Sequence, residues 1–173
     1  SLNKLDKIDL SKQVTYSGKS STSESTTSYE SQIDSLREYQ IAIQDLESEI
    51  KRYQSYAELT TSEQNRIEYL NKINDLTKQQ QDKLHELNNE LRNQRDSLGK
   101  QAKQFTIAGQ KIAMYDANTG QLNVNIALYN KLSDKQKEKF DDIINSFDDV
   151  NTQISNNSLQ WLSLATTIKS NLQ

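Results

Sequence analysis

Apolar residues recur in heptad register along most of this chain, and no proline interrupts the register in 173 residues. Phe140, Phe147, Ile154, Trp161 and Ile168 lie seven apart, with Ile143, Val150 and Leu164 at the complementary offset. Residues at those two offsets share one stripe of an α-helix, so the pattern specifies a coiled-coil or long-bundle seam. A seam defines shape and a surface for a partner helix and leaves chemistry unspecified. The sequence therefore predicts a structural role and names no reaction.

Composition agrees with a thin helical object. With 33% hydrophobic and 26% charged residues, the chain is too polar for a thick globular core. Helices that bury one stripe each and solvate the rest need no more apolar residues than this. A formal net charge of -3 gives no electrostatic reason to expect nucleic acid or an anionic membrane as partner. No stretch approaches the roughly 20 apolar residues of a membrane span. The absence of cysteine excludes disulfides and thiolate metal sites. The chain opens on Ser1 and Leu2 without a basic-then-apolar leader, as expected of a piece excised from a larger protein.

Leu2, Leu5, Ile8 and Leu10 form an apolar segment too short to stand alone, because isolated helices under about 12 residues are marginal. The text from Ser17 to Ser28 is nearly all Ser and Thr and reads as a linker, residues 1–28 together forming an N-terminal segment. A first helix is expected over 29–58, with Leu36, Ile43, Ile50 and Ala57 at one seam position and Tyr39, Leu46 and Tyr53 at the other. Thr60 with Glu63 three residues later has the form of a capping box. Beyond it Ile67, Leu70 and Ile73 replace the Gln64, Asn71 and Asn74 that the first register would place inside. This slip favours a turn near Leu59 to Thr61 and a new helix.

That second helix is expected over 62–104, spanning roughly 65 Å at 1.5 Å per residue. Its seam is Leu70, Ile73, Leu84, Leu87, Leu91, Leu98 and Phe105, interrupted by the polar Thr77, Gln80 and Gln94. Gly99 is a weak point, costing up to about 1 kcal/mol against Ala and suggesting fraying of the last turns. From 105 to 127 the period changes: Ile112, Met114, Leu122 and Val124 alternate with their neighbours around Asp116-Ala-Asn-Thr-Gly120. Alternation around a glycine-bearing turn predicts a β-hairpin; the alternative is a continuing helix, in which Asn118 and Gly120 would both be poor residues. Ser133 with Gln136 forms a second box that starts a helix over 133–171, seamed by Phe140, Ile143, Phe147, Val150, Ile154, Trp161, Leu164 and Ile168. The fold class expected is mainly all-α: an elongated antiparallel helical hairpin or three-helix bundle, coiled-coil-like, with a small β-hairpin at one tip. Asn157 stands at a seam position, where a polar residue commonly sets register at some loss of stability.

Candidate chemistry is thin. His85 is the one histidine, beside the seam and without the second histidine of a zinc-binding HExxH pair, so a solvated surface residue is expected. Asp141, Asp142, Asp148 and Asp149 repeat at heptad spacing, which reads as a charged solvated face in preference to a cation site. Four glycines form neither GxGxxG nor a P-loop, and basic residues are not clustered with aromatics, so no nucleotide or nucleic-acid site is expected. Trp161 reads as a core anchor. No enzyme activity, cofactor or metal is expected.

The text ELTTSEQNRIEYLNKINDLTKQQQDKLHELNNELRNQ, followed by MYDANTGQLNVNIALYNKLSDKQKEKFDDIINSF, resembles segments of long tail proteins of phages and prophages of low-GC Gram-positive bacteria. Tape-measure and minor structural proteins are the nearest in kind. There, coiled-coil stretches are interrupted by pieces of the form YDxxTGxL before an asparagine-rich helix start, and the likeness covers about Glu58 to Val150. The resemblance implies a structural spacer or assembly segment of a virion tail, with partners among other tail proteins or further copies of itself. The alternative is a secreted helical-bundle pore-forming toxin or a cell-surface interaction module. Against the toxin, a membrane-inserting tongue should be almost wholly apolar, whereas this hairpin carries Lys111, Asp116, Asn118, Gln121, Asn123 and Asn125.

Overall fold

The computed structural model describes residues 23–171, with side chains described from Leu36 onward. The expectations for Leu2, Leu5, Ile8 and Leu10 and for positions 17–22 lie outside the described residues. Three long helices dominate: α1 (Ser23–Leu59), α2 (Glu63–Ala102) and α4 (Asp134–Asn171), with a single turn, α3 (Ile126–Tyr129), before the last. Between α2 and α3 come β1 (Thr106–Ile107), β2 (Gln110–Lys111), β3 (Ala113–Asp116) and β4 (Gln121–Val124). The protein is thus mainly helical, with small antiparallel hairpins.

Several boundaries differ from expectation. Helix α1 begins at Ser23, so residues 23–28 of the supposed linker are helical, and α2 ends at Ala102, two residues before Gln104. The expected Thr60–Glu63 box is not made. The Ser62 hydroxyl accepts from the Asn65 amide at 3.2 Å, so Ser62 caps α2, while Thr60 Oγ1 accepts from the Ser62 amide. Three adjacent hydroxyl residues compete for that role, and the one next to the first helical residue takes it. Glu63 turns instead to Arg66 at 2.7 Å, and Arg66 also donates to the Thr60 carbonyl across the turn. At α4 the Ser133 hydroxyl accepts from the Gln136 amide.

The chain separates into two compact units, to both of which α2 and α4 contribute. Among residues with described side chains, the first unit comprises 36–89 and 155–171 and the second 90–154. In the first, Ile50 of α1 packs on Ile73 and Leu76 of α2, with Leu46, Tyr53 and Leu70 at the edge. Asn74 of α2 meets Asn171 of α4, whereas Asn88 meets Asn157, so within this unit the two helices run antiparallel.

The second unit carries the strands. β3 and β4 pair antiparallel, Asp116 opposite Gln121 and Ala113 opposite Val124, which is the hairpin expected from Asp116–Gly120. Its phase on β3 is corrected by one residue. Ala113 is buried and Met114 exposed, because the register puts Ala113 and Tyr115 on the face of Leu122 and Val124. Buried Ile112 precedes the strand and bridges Phe105 and Asn125 through its backbone. A second hairpin, β1 with β2, went unforeseen. Ala108 and Gly109 both have positive φ, 50° and 80°, the requirement of a two-residue I′ turn.

Candidate functional site: helix seams and the hairpin anchor

The first unit is held by an apolar stripe with polar rungs laid into it. On α2 the buried positions are Ile73, Asn74, Leu76, Thr77, Gln80, Leu84, Leu87 and Asn88. The Asn171 amide donates to Asn74 Oδ1 at 3.0 Å, and the Asn157 amide donates to Asn88 Oδ1 at 3.0 Å. Asn88 Nδ2 in turn donates to the Ser158 hydroxyl at 3.2 Å. Between the two rungs, Gln81 Nε2 donates to the Trp161 carbonyl. Asn74, Gln81 and Asn88 are successive heptad equivalents, so one helical position is dedicated to bonds across to α4. A paired buried amide contributes about 1 kcal/mol net, whereas an unpaired one costs about 1 to 3 kcal/mol. These rungs therefore distinguish the correct register from a slipped one.

Thr77 satisfies itself by donating to the Ile73 carbonyl one turn back. Gln80 Nε2 is buried with no hydrogen-bond partner, and so is Gln94 Oε1 in the second unit. The three residues expected to interrupt the α2 seam thus lie inside it as buried polar layers.

The second unit is built on aromatic contacts. Tyr115 of β3 lies against Gly99 of α2 so closely that a Cβ there would fall 2.4 Å from the ring. The same ring meets Phe147 of α4 edge-on, centroids 5.6 Å apart. Its hydroxyl donates to Asp96. Burial, reinforced by that hydrogen bond, raises the phenol above its ordinary value, with Arg95 opposing. Arg95 reaches Asn151 Oδ1 of α4 at 3.3 Å, and its guanidinium packs on Gly120, where φ is +73° and any Cβ would meet it at 2.5 Å. The hairpin is therefore folded back along the flanks of α2 and α4 within this unit, from Gly99 to Arg95.

The turn explains its own sequence. Asp116 Oδ1 accepts from the Asn118 amide, the Asp116 carbonyl accepts from Gly120 at 2.7 Å, and Thr119 Oγ1 accepts from Gln121. Asp, Thr and Gly of the YDxxTGxL text thus each close one bond or supply the positive φ. After β4, Asn125 caps α3 by accepting from the Leu128 amide. Phe140 sits under Phe105 and Tyr129, with centroids at 5.2 and 5.6 Å. The Tyr129 hydroxyl donates to Asp141 at 2.7 Å, which raises that phenol as well.

Of the seam residues chosen from sequence, Leu36, Ile43, Ile50, Ile73, Leu84, Leu87, Leu91, Leu98, Phe140, Ile143, Phe147, Val150, Ile154 and Ile168 are buried. Leu46, Leu70, Phe105 and Leu164 are half-buried. Trp161 is not a core anchor, being 39% exposed, while its neighbour Gln160 is buried. Adjacent helical residues point 100° apart, so with Gln160 turned inward Trp161 is carried to the edge of the stripe. Ile67 is also exposed, and Asn74 is buried in its stead. His85, Asp141 and Asp148 are exposed, and no group of three or more His, Asp or Glu among the described residues is placed to hold a metal ion. No helix of the described residues is long and apolar enough to cross a membrane. Sequence reasoning missed the role of Gly99, which in a good helix-forming stretch signalled a close neighbour. Comparison with protein-family models, with curated proteins and with solved structures finds no match to this chain.

Proposed function

We propose that this chain is a structural spacer and assembly segment of a phage or prophage tail protein, holding helices in fixed register and carrying out no catalysis itself. The observation that supports this most is the pair of asparagine rungs, Asn74 to Asn171 and Asn88 to Asn157, spaced fourteen residues apart on both helices. Buried amides at matched heptad positions favour one alignment at a cost in stability. That is a useful property where geometry must be reproducible. The anchored turn over Asp116–Gly120 adds support, since its residues are those on which the resemblance to tail proteins rests.

Two measurements on the source strain test the reading. Genes for tail assembly should flank the coding sequence, and peptides of this chain should appear in purified particles after induction. Particles that lack those peptides would overturn it.

A further inference from the structure

Within the first unit α2 holds α1 and α4 by different means. Ile50 of α1 packs on Ile73 and Leu76 of α2, and Gln80 lies four residues beyond Leu76 and seven beyond Ile73. Those intervals keep Gln80 on the stripe of α2 that is turned to α1. Lys83 of α2 reaches over the Tyr39 ring of α1, so α1 runs antiparallel to α2 and Ile43 falls near the level of Gln80. Ile43 is fully buried and Gln80 is 2% exposed, yet Gln80 Nε2 has no hydrogen-bond partner among the described residues. An isoleucine side chain has nothing for an amide to bond. One heptad position along, Asn74, Gln81 and Asn88 all bond to α4.

We infer that α1 is a detachable strap: it lifts from α2 as one piece about the turn at 60–62, uncovering Ile73, Leu76 and Gln80, while α2 and α4 keep their register. A buried amide without a partner regains its hydrogen bonds once water reaches it. Lifting α1 therefore relieves Gln80, whereas lifting α4 breaks the bonds at Asn74, Gln81 and Asn88. The Ser62 cap and the Arg66 bond to the Thr60 carbonyl lie beyond Leu59, the last residue of α1, so the start of α2 stays capped as α1 moves. Buried Leu36, Ile43 and Ile50, with Tyr53 and Tyr56 against the Tyr69 ring at 6.2 and 5.6 Å, make the closed form the resting one. A segment whose departure satisfies a stranded polar group opens more readily than the rest of its unit unfolds.

Native-state hydrogen exchange of the whole 173-residue chain, followed by mass spectrometry, tests this. Amides over 36–59 should exchange together, about tenfold or more faster than those of α2 over 76–88. Gln80→Met fills much the same space with no polar atom to strand, and should slow the α1 amides by about tenfold, the equivalent of roughly 1.4 kcal/mol, at unchanged helicity. Gln80→Leu should act in the same direction. Exchange of α1 in step with α2 overturns the inference, as does an α1 rate that both substitutions leave unchanged or raise. The outcome is independent of the proposed tail role, which rests on the source of the chain and not on the mobility of α1.

Discussion

The two units hold the same two helices by opposite means. In the first, α2 and α4 meet through asparagine and glutamine set among leucines and isoleucines. In the second, Tyr115, Phe147, Phe105, Tyr129 and Phe140 dominate, and a hairpin lies against the pair. Polar rungs discriminate strongly between registers while contributing little net stability, whereas buried aromatics contribute stability and tolerate small displacements. The contrast suggests a division of labour, one unit setting alignment and the other supplying cohesion.

The largest test of this contrast is Phe147→Asp. The ring is buried against Tyr115, and an unpaired carboxylate there should cost about 3 to 5 kcal/mol. Thermal unfolding followed by circular dichroism should show a large fall in midpoint; a midpoint within a few degrees of the parent would remove Phe147 from the cohesive set. Next comes Gly99→Ala. On an ordinary helix surface the change stabilises by about 1 kcal/mol, but here the new methyl meets the Tyr115 ring, so a loss of about 1 to 3 kcal/mol is expected. In a Tyr115→Ala background the sign should reverse. A stabilising Gly99→Ala in the parent chain would show that the hairpin does not press on α2.

The smallest and most discriminating changes are at the rung. Asn157→Leu alone removes the bond that its amide donates to Asn88 Oδ1 and should destabilise by about 1 to 2 kcal/mol, whereas Asn88→Leu with Asn157→Leu should recover or exceed the original stability. Chemical denaturation of the three proteins measures this cycle. If the double variant is no better than the single, the rung stabilises outright and the proposed division between the units fails.

Much of the helical layout was legible because heptad spacing is written in residue type. Phe140, Ile143, Phe147 and Val150 announce their face without reference to any other part of the chain. What escaped depended on neighbours brought in by folding. Gly99 looks like a weak spot until Tyr115 is placed on it. Trp161 fits the heptad, but Gln160 beside it is the buried residue, and apolar patterning cannot foresee an amide taking an interior place. The capping of α2 shows a different limit. Thr60, Thr61 and Ser62 all suit a cap, and a difference of one or two residues along a run of hydroxyls is decided by the path of the turn. At the hairpin, the turn was visible in Asp116–Gly120, but the phase of β3 was not, since Ile112, Ala113, Met114 and Tyr115 are all compatible with either face.

The spacing of the rungs constrains how such a chain can change length. Asn74 and Asn88 lie fourteen residues apart, and so do their partners Asn171 and Asn157. Sliding one helix by a single heptad would bring Leu164 or Val150 opposite Asn88 and remove the bond that Asn157 makes to it. An insertion in one helix alone carries the same penalty for every rung beyond it. Growth or loss is therefore tolerated in matched pairs of blocks, one in each helix, and a matched pair of two-heptad blocks alters each helix by about 21 Å. A protein ruled this way varies its dimensions in discrete increments, and related chains should differ in length by multiples of that step.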